Sequence, residues 1–203
     1  MSTVDRCVSG LLALGLVVCT GCRGATAGAD AGKADPVYNR DTGKLEQLAS
    51  DRDGDGKVDT RAFMDGVRLK HIEIDRNADG QVDRWEFYLP PATASVAPGQ
   101  AQLSHVEEAG AFDGRITRRE FYQDGMVARV EEDTDLNGQT DKWEFFDAGI
   151  LARVELDLVG KGLPTQRLVY RPDGNLDRVE SDPEGTGRFT RVPQGKGGDR
   201  PQE

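Results

Sequence analysis

The sequence predicts a mainly β fold: hairpins of about 24 residues repeated into a meander or solenoid-like sheet, with acidic loops gathered at one end. Three observations carry this. First, similar segments open at Asp51, Asp75, Ala109, Asp133, Asp157 and Asp182. The intervals are 24, 34, 24, 24 and 25 residues, the long one holding the insertion "LPPATASVAPGQ". Such a period is the mark of a repeat architecture. Second, fixed columns recur within the copies. Phe63, Phe87, Phe121, Phe145 and Val169 share one column, and Met64, Tyr88, Tyr122, Phe146 and Tyr170 the next. Leu48, Ile72, Val106, Val130, Val154 and Val179 form a third. Third, the turn signals "MDG", "QDG", "DAG" and "PDG" fall between apolar runs, as hairpins require.

The N-terminus precedes any fold. Arg6 leads into "CVSGLLALGLVVCTGC", an apolar run too short to span a bilayer, which takes about 20 residues. It fits the apolar region of a signal peptide over residues 1–21. The ending "CTGC" resembles a bacterial lipobox, which implies that Cys22 is the lipidated residue. Cys7 and Cys19 then leave with the signal, and no thiol remains for disulfides or catalysis. The resemblance implies a lipid-anchored protein of the bacterial cell envelope, attached to the membrane through Cys22. Arg23, where aspartate would otherwise stand, points by the same resemblance to the outer membrane. Residues 22–37 then read as the lipidated cysteine and a flexible linker, rich in small and polar residues.

The repeat domain is expected over residues 38–192, with an insertion at 89–100. Tyr38 is the remnant of an earlier copy. "WEFY" and "WEFF" are rich in aromatic strand formers. The second strand of each unit alternates imperfectly, because Leu151 and Val154 differ in parity. Gly66 also sits one place earlier than Gly125 relative to the following loop. A bulge or a change of turn would absorb both irregularities. Residues 193–203 read as a disordered tail.

The acidic loops carry the chemistry. "DRNADGQVDRWE" places Asp75, Asn77, Asp79, Gln81, Asp83 and Glu86 at positions 1, 3, 5, 7, 9 and 12, with glycine at 6. "DTDLNGQTDKWE" repeats this with Asp133, Asp135, Asn137, Gln139, Asp141 and Glu144. "DRDGDGKVDTRA" supplies Asp51, Asp53, Asp55, Lys57 and Asp59 but has Ala62 at position 12. Side-chain oxygens at 1, 3, 5, 9 and 12 and a carbonyl at 7 suit calcium, a hard cation with six to eight oxygen ligands. The simpler alternative is an Asx-rich turn capped by its own side chains. The copy at Ala109 keeps only Asp113 and Glu120, and the copy at Asp157 keeps little beyond that residue, so neither is expected to hold metal. The loop resembles an EF-hand or dockerin calcium loop, while its flanks read as strands. Over residues 38 to about 192 the chain resembles bacterial surface lipoproteins built from calcium-loop and hairpin units. A helical EF-hand sensor is the rival fold. Only 12 residues separate the end of one loop from the start of the next, with a glycine near the middle. Two helices and a turn do not fit in that length.

Charge and composition narrow the function. The net charge of −10 argues against a nucleic-acid partner, which needs a basic face. Hydrophobic content of 36% is low for a thick core, so something else must help hold the fold. His71 and His105 share a column with Arg129, Arg153 and Arg178, which reads as a solvated cationic ladder beside a column of glutamates. Trp85 and Trp143 occupy equivalent places and serve sheet packing or an aromatic binding strip. The expectation is a non-enzymatic envelope protein whose calcium-stabilised sheet meets a protein or polysaccharide. The alternative of an accessory or hydrolytic envelope protein would need a cluster unique to one copy.

Overall fold

The computed structural model describes residues 34–90 and 101–193. The signal peptide, Cys22, most of the linker, most of the insertion and the tail beyond residue 193 lie outside the described residues. Thirteen strands follow one another: β1 (Ala34–Tyr38), β2 (Leu45–Ser50), β3 (Thr60–Asp65), β4 (Arg68–Ile74), β5 (Arg84–Tyr88), β6 (Leu103–Glu108), β7 (Arg118–Gln123), β8 (Met126–Glu132), β9 (Lys142–Asp147), β10 (Ile150–Leu156), β11 (Gln166–Tyr170), β12 (Leu176–Ser181) and β13 (Thr190–Arg191). They form one open antiparallel meander in which spatial order is chain order. The described residues contain no helix, which removes the helical EF-hand alternative. β1 begins at Ala34, inside the segment expected to be linker.

Both irregularities in the sequence have a structural cause. The β7–β8 turn has Asp124 and Gly125 both at positive φ, and the β9–β10 turn has Ala148 and Gly149 so. The β3–β4 turn has only Gly66, its first central residue, at positive φ. These are two-residue turns of the I′ and II′ kinds, so a change of turn type moves the glycine without changing loop length. The parity break is a bulge. Phe146 pairs with Leu151 and Phe145 with Arg153, leaving Ala152 unpaired. The same shift leaves Glu46, Lys70, Ser104, Ala128 and Asp177 unpaired in the other hairpins. One extra residue per even-numbered strand re-phases the side chains, so the column pattern holds across the sheet.

Strands touch only their sequence neighbours among the described residues, so the sheet is a single layer. Its core is correspondingly thin: Val106, Ala109, Val130 and Val154 are the buried apolar residues. Side-chain ladders on both faces supply what a second layer would. On one face, register sets Ile72, Glu86, Val106, Glu120, Val130, Glu144 and Val154 side by side. The glutamates of that row pair with Arg84, Arg118 and Lys142 at 2.8, 2.9 and 2.8 Å. Arg84 also pairs with Glu108, and Lys142 with Glu132. On the other face, Phe63, His71, Phe87, His105, Phe121, Arg129, Phe145 and Arg153 run in register. Phe63 and His71 stack at 4.2 Å, Phe87 and His105 at 4.4 Å. The Arg129 guanidinium lies 4.3 Å from the Phe121 ring centre and that of Arg153 lies 3.7 Å from Phe145. His71, His105 and Arg129 are therefore half-buried between ring-bearing positions rather than part of a solvated ladder, and Arg153 is covered by a ring on one side. Cross-strand pairs of this kind contribute roughly 0.2–1 kcal/mol each.

Candidate metal centres

The loops β2–β3, β4–β5, β6–β7, β8–β9, β10–β11 and β12–β13 share one end of the sheet, because every two-residue turn lies at the other. They share one internal scaffold. The carboxylate at position 1 accepts from the position-6 glycine amide: Asp51 from Gly56, Asp75 from Gly80, Asp133 from Gly138, Asp157 from Gly162 and Asp182 from Gly187, at 2.6–2.8 Å. Gly80 takes φ +93°, a conformation that glycine adopts freely. The side chain at position 9 accepts from the position-2 amide: Asp59 from Arg52, Asp83 from Arg76 and Asp141 from Thr134.

The third and fifth copies keep the position-9 half of this scaffold by another route, while Ala109 leaves the third without the position-1 bond. Thr117 and Thr165 stand at position 9, and their hydroxyls accept from Gly110 and Leu158. By ligand count these positions are empty of acid, but their hydroxyls keep the loop's internal bond. The signal was available: only Asp and Thr occupy that column from Asp59 to Thr165.

The first and fourth loops draw acids together. One carboxylate oxygen from each of Asp51, Asp53 and Asp59 lies within 4.8 Å of the others, and the same holds for Asp133, Asp135 and Asp141. These are positions 1, 3 and 9. The first loop, lacking an acid at position 12, therefore gathers its acids as the fourth does. In the second loop the corresponding residues are Asp75, Asn77 and Asp83. Here Asp75 and Asp83 are 6% and 2% exposed, and one oxygen of each is buried without any hydrogen-bond partner.

The other expected ligands lie outside these gathered groups, those at position 5 within the loop and those at position 12 on the strands. Asp55 and Asp79, at position 5, accept from the amides of Lys57 and Gln81, and Asn137 does so from Gln139. Lys57 also reaches Asp55 with its ammonium, at 3.6 Å. Glu86 and Glu144 lie on β5 and β9 and are not among the gathered acids. Glu86 is held by Arg84 and by the Tyr88 hydroxyl, and Glu144 by Lys142. Desolvation opposes ionisation of Asp51, but the Gly56 and Gly54 amides outweigh it and hold the carboxyl below its usual range. Asp157 is lowered in the same manner, by Val159 and Gly162 against desolvation. The first and fifth loops are thus preformed for an anionic side chain at position 1.

No family model matches the chain, and no curated protein is significantly similar to it. Among solved structures, it is similar to the crystal structure of accessory secretory protein 1, 2 and 3 in Streptococcus pneumoniae, at 14% identity and a TM-score of 0.30. That match covers 64% of this chain and 20% of the other. A likeness this slight carries no functional argument.

Proposed function

We propose that this chain is a non-enzymatic lipoprotein of the bacterial cell envelope, held to the outer membrane through Cys22. Its single-layer sheet is stiffened by calcium and offers a structural or interaction surface. The observation that carries the metal reading is the pair of bare oxygens on Asp75 and Asp83. Each carboxylate gives one oxygen to a backbone amide, at 2.7 and 2.9 Å, and leaves the other buried and unpartnered. A buried acceptor without a partner costs about 1–3 kcal/mol, and more when charged. A hard divalent cation removes that cost. An Asx-rich turn alone leaves it standing.

Asp75, Asn77, Asp79 and Asp83 would hold the ion in the second loop, with the Gln81 carbonyl. Asp133, Asp135, Asn137 and Asp141 would do so in the fourth, with the Gln139 carbonyl. Asp51, Asp53, Asp55 and Asp59 would serve the first, with the Lys57 carbonyl. Calcium is favoured over softer ions because every donor is oxygen, and over magnesium because it accepts six to eight ligands in flexible geometry. The acids follow the repeat rather than forming a cluster peculiar to one copy, which supports a stabilising role over a catalytic one. The stacked Phe–His column turns ring faces toward one another instead of outward, which favours a protein partner over a polysaccharide. Calorimetry tests the metal reading. Asp75→Ala with Asp133→Ala should lose most of the calcium heat, and an unchanged titration would remove these loops from the account.

A further inference from the structure

The aromatic–cation column has one missing rung. Along β3, β5, β7 and β9 its ring is Phe63, Phe87, Phe121 and Phe145, and on β11 the same register position is Val169. Val169 lies between Arg153 and Arg178 on the neighbouring strands. A complete rung has a ring-bearing register neighbour on each side of its cation, as Arg129 has in Phe121 and Phe145, though its guanidinium closes only on Phe121, at 4.3 Å. His71 stacks with Phe63 and Phe87, at 4.2 and 5.8 Å, and His105 with Phe87 and Phe121, at 4.4 and 6.1 Å. Arg153 has Phe145 on one side only, at 3.7 Å. Where its second ring would lie there is a hollow of about 460 Å³, lined by Ala152, Arg153, Arg167, Val169 and Arg178.

The charges around this hollow are already matched. Arg153 and Arg167 share Glu155, at 3.1 and 2.7 Å, and Arg178 pairs with Glu180 and Asp177, at 2.7 and 2.8 Å. With three cations set against three carboxylates, the hollow does not ask for an anion. What it offers are three guanidinium groups beside the small apolar side chains of Ala152 and Val169, a lining that takes an aromatic ring. Arg167 already stacks on Phe189, at 3.9 Å. The remainder of this chain cannot supply the ring. All seven Phe, four Tyr and two Trp lie within residues 34–90 and 101–193, so the segments beyond contain none.

We infer that the hollow over Val169 is a docking site for an aromatic side chain of a partner protein, which completes the column between Arg153 and Arg178. A side chain suits it better than a free small molecule. The hollow is open along the sheet face, whereas small-molecule pockets bury most of their ligand. This deepens the reading of the sheet as an interaction surface and does not depend on the metal loops.

The test is a titration followed by nuclear magnetic resonance, at saturating calcium, with N-acetylphenylalaninamide as the probe and N-acetylleucinamide as the control. The expected result is saturable ring-current shifts at the Val169 methyls and the Arg153 and Arg178 side chains, with the aliphatic amide at least tenfold weaker. Val169→Phe fills the hollow with the column's own ring and should abolish the shifts at the arginines. Val169→Ala leaves the hollow open and should retain them. Circular dichroism of both variants establishes that the sheet is intact. The inference is overturned if no site saturates, if the aliphatic amide binds equally, or if well-folded Val169→Phe still binds. Calcium calorimetry reads the loops separately, so either reading can fail without the other.

Discussion

The amide of Asp75 donates to the carbonyl of Asp59 at 2.8 Å, so the second acidic loop hangs from the first. The relation recurs along the sheet end. Ala109 donates to Asp83, Asp133 to Thr117, Asp157 to Asp141 and Asp182 to Thr165, each at 2.8 Å. Every loop thus begins on the position-9 residue of its predecessor. On the proposed metal reading, a position-9 carboxylate that ligates the ion would tie ion occupancy to the entry of the next repeat. Neighbour-to-neighbour coupling of this kind is how repeat proteins distribute stability.

Chelation should therefore loosen the sheet locally first. At calcium about 100 times the dissociation constant, one site adds roughly 2.7 kcal/mol to the native state. The dissociation constants expected of extracellular modules are about 10⁻⁴ to 10⁻³ M. Hydrogen exchange with and without chelator should show protection lost over residues 51–90 and 130–150 ahead of the rest. Uniform protection in both conditions would make the loops self-capped turns.

The proposed lipid attachment at Cys22 is testable separately from the sheet. Cys22→Ser should abolish fatty-acid labelling and release the protein from the membrane fraction, while the sheet's circular dichroism stays unchanged. Continued labelling of that variant would place the anchor elsewhere.

The repeat, the strands and the acids that gather in the first and fourth loops were legible because each is written as a residue type at a fixed spacing. "WEFY" reads as a strand, and Asp75 to Asp83 as a cation loop, without reference to any neighbour. What hid was whatever depends on register. Ala152 looks like any strand residue until pairing of Phe145 with Arg153 leaves it out of the ladder. Glu86 fits position 12 of a calcium loop by count, but strand geometry sets it beside Arg84 and Tyr88, two residues away on the same face. Thr117 looked like a lost ligand because a missing carboxylate is visible in sequence and a preserved hydrogen bond to Gly110 is not.

Two tyrosines should titrate late. Burial, then the hydrogen bond to Glu86 and its charge, push Tyr88 up to about 12. Burial and Glu120 do the same for Tyr122, also to about 12. The ordinary value is 10.0, so the unfolded chain ionises first. These phenols contribute stability that is fully present below about pH 10 and lost as pH rises toward 12. Absorbance at the phenolate band should show a late component that Tyr88→Phe and Tyr122→Phe each reduce. Glu86→Gln, by removing the carboxylate charge, should bring the Tyr88 component to lower pH. A Tyr88 transition unmoved by that change would mean that Glu86 does not set it.

Position 4 of the loops carries strain that one substitution should relieve. Glycine occupies it as Gly54, Gly160 and Gly185, all at positive φ. The other three copies force Ala78, Phe112 and Leu136 into the same region, at φ 59°, 56° and 62°. Left-handed backbone costs a residue with a Cβ about 1–2 kcal/mol. Leu136 is 46% exposed, so trimming its side chain forfeits little packing. Against the relief stands the greater freedom of glycine in the unfolded chain, worth roughly 0.4–1 kcal/mol. Leu136→Gly should therefore raise stability by a net of about 0.5–1 kcal/mol. Leu136→Val, whose branched Cβ tolerates this region least, should lower it. Urea denaturation of the pair at fixed calcium checks the order. If Leu136→Gly is the less stable of the two, the loop does not hold position 4 in the left-handed region.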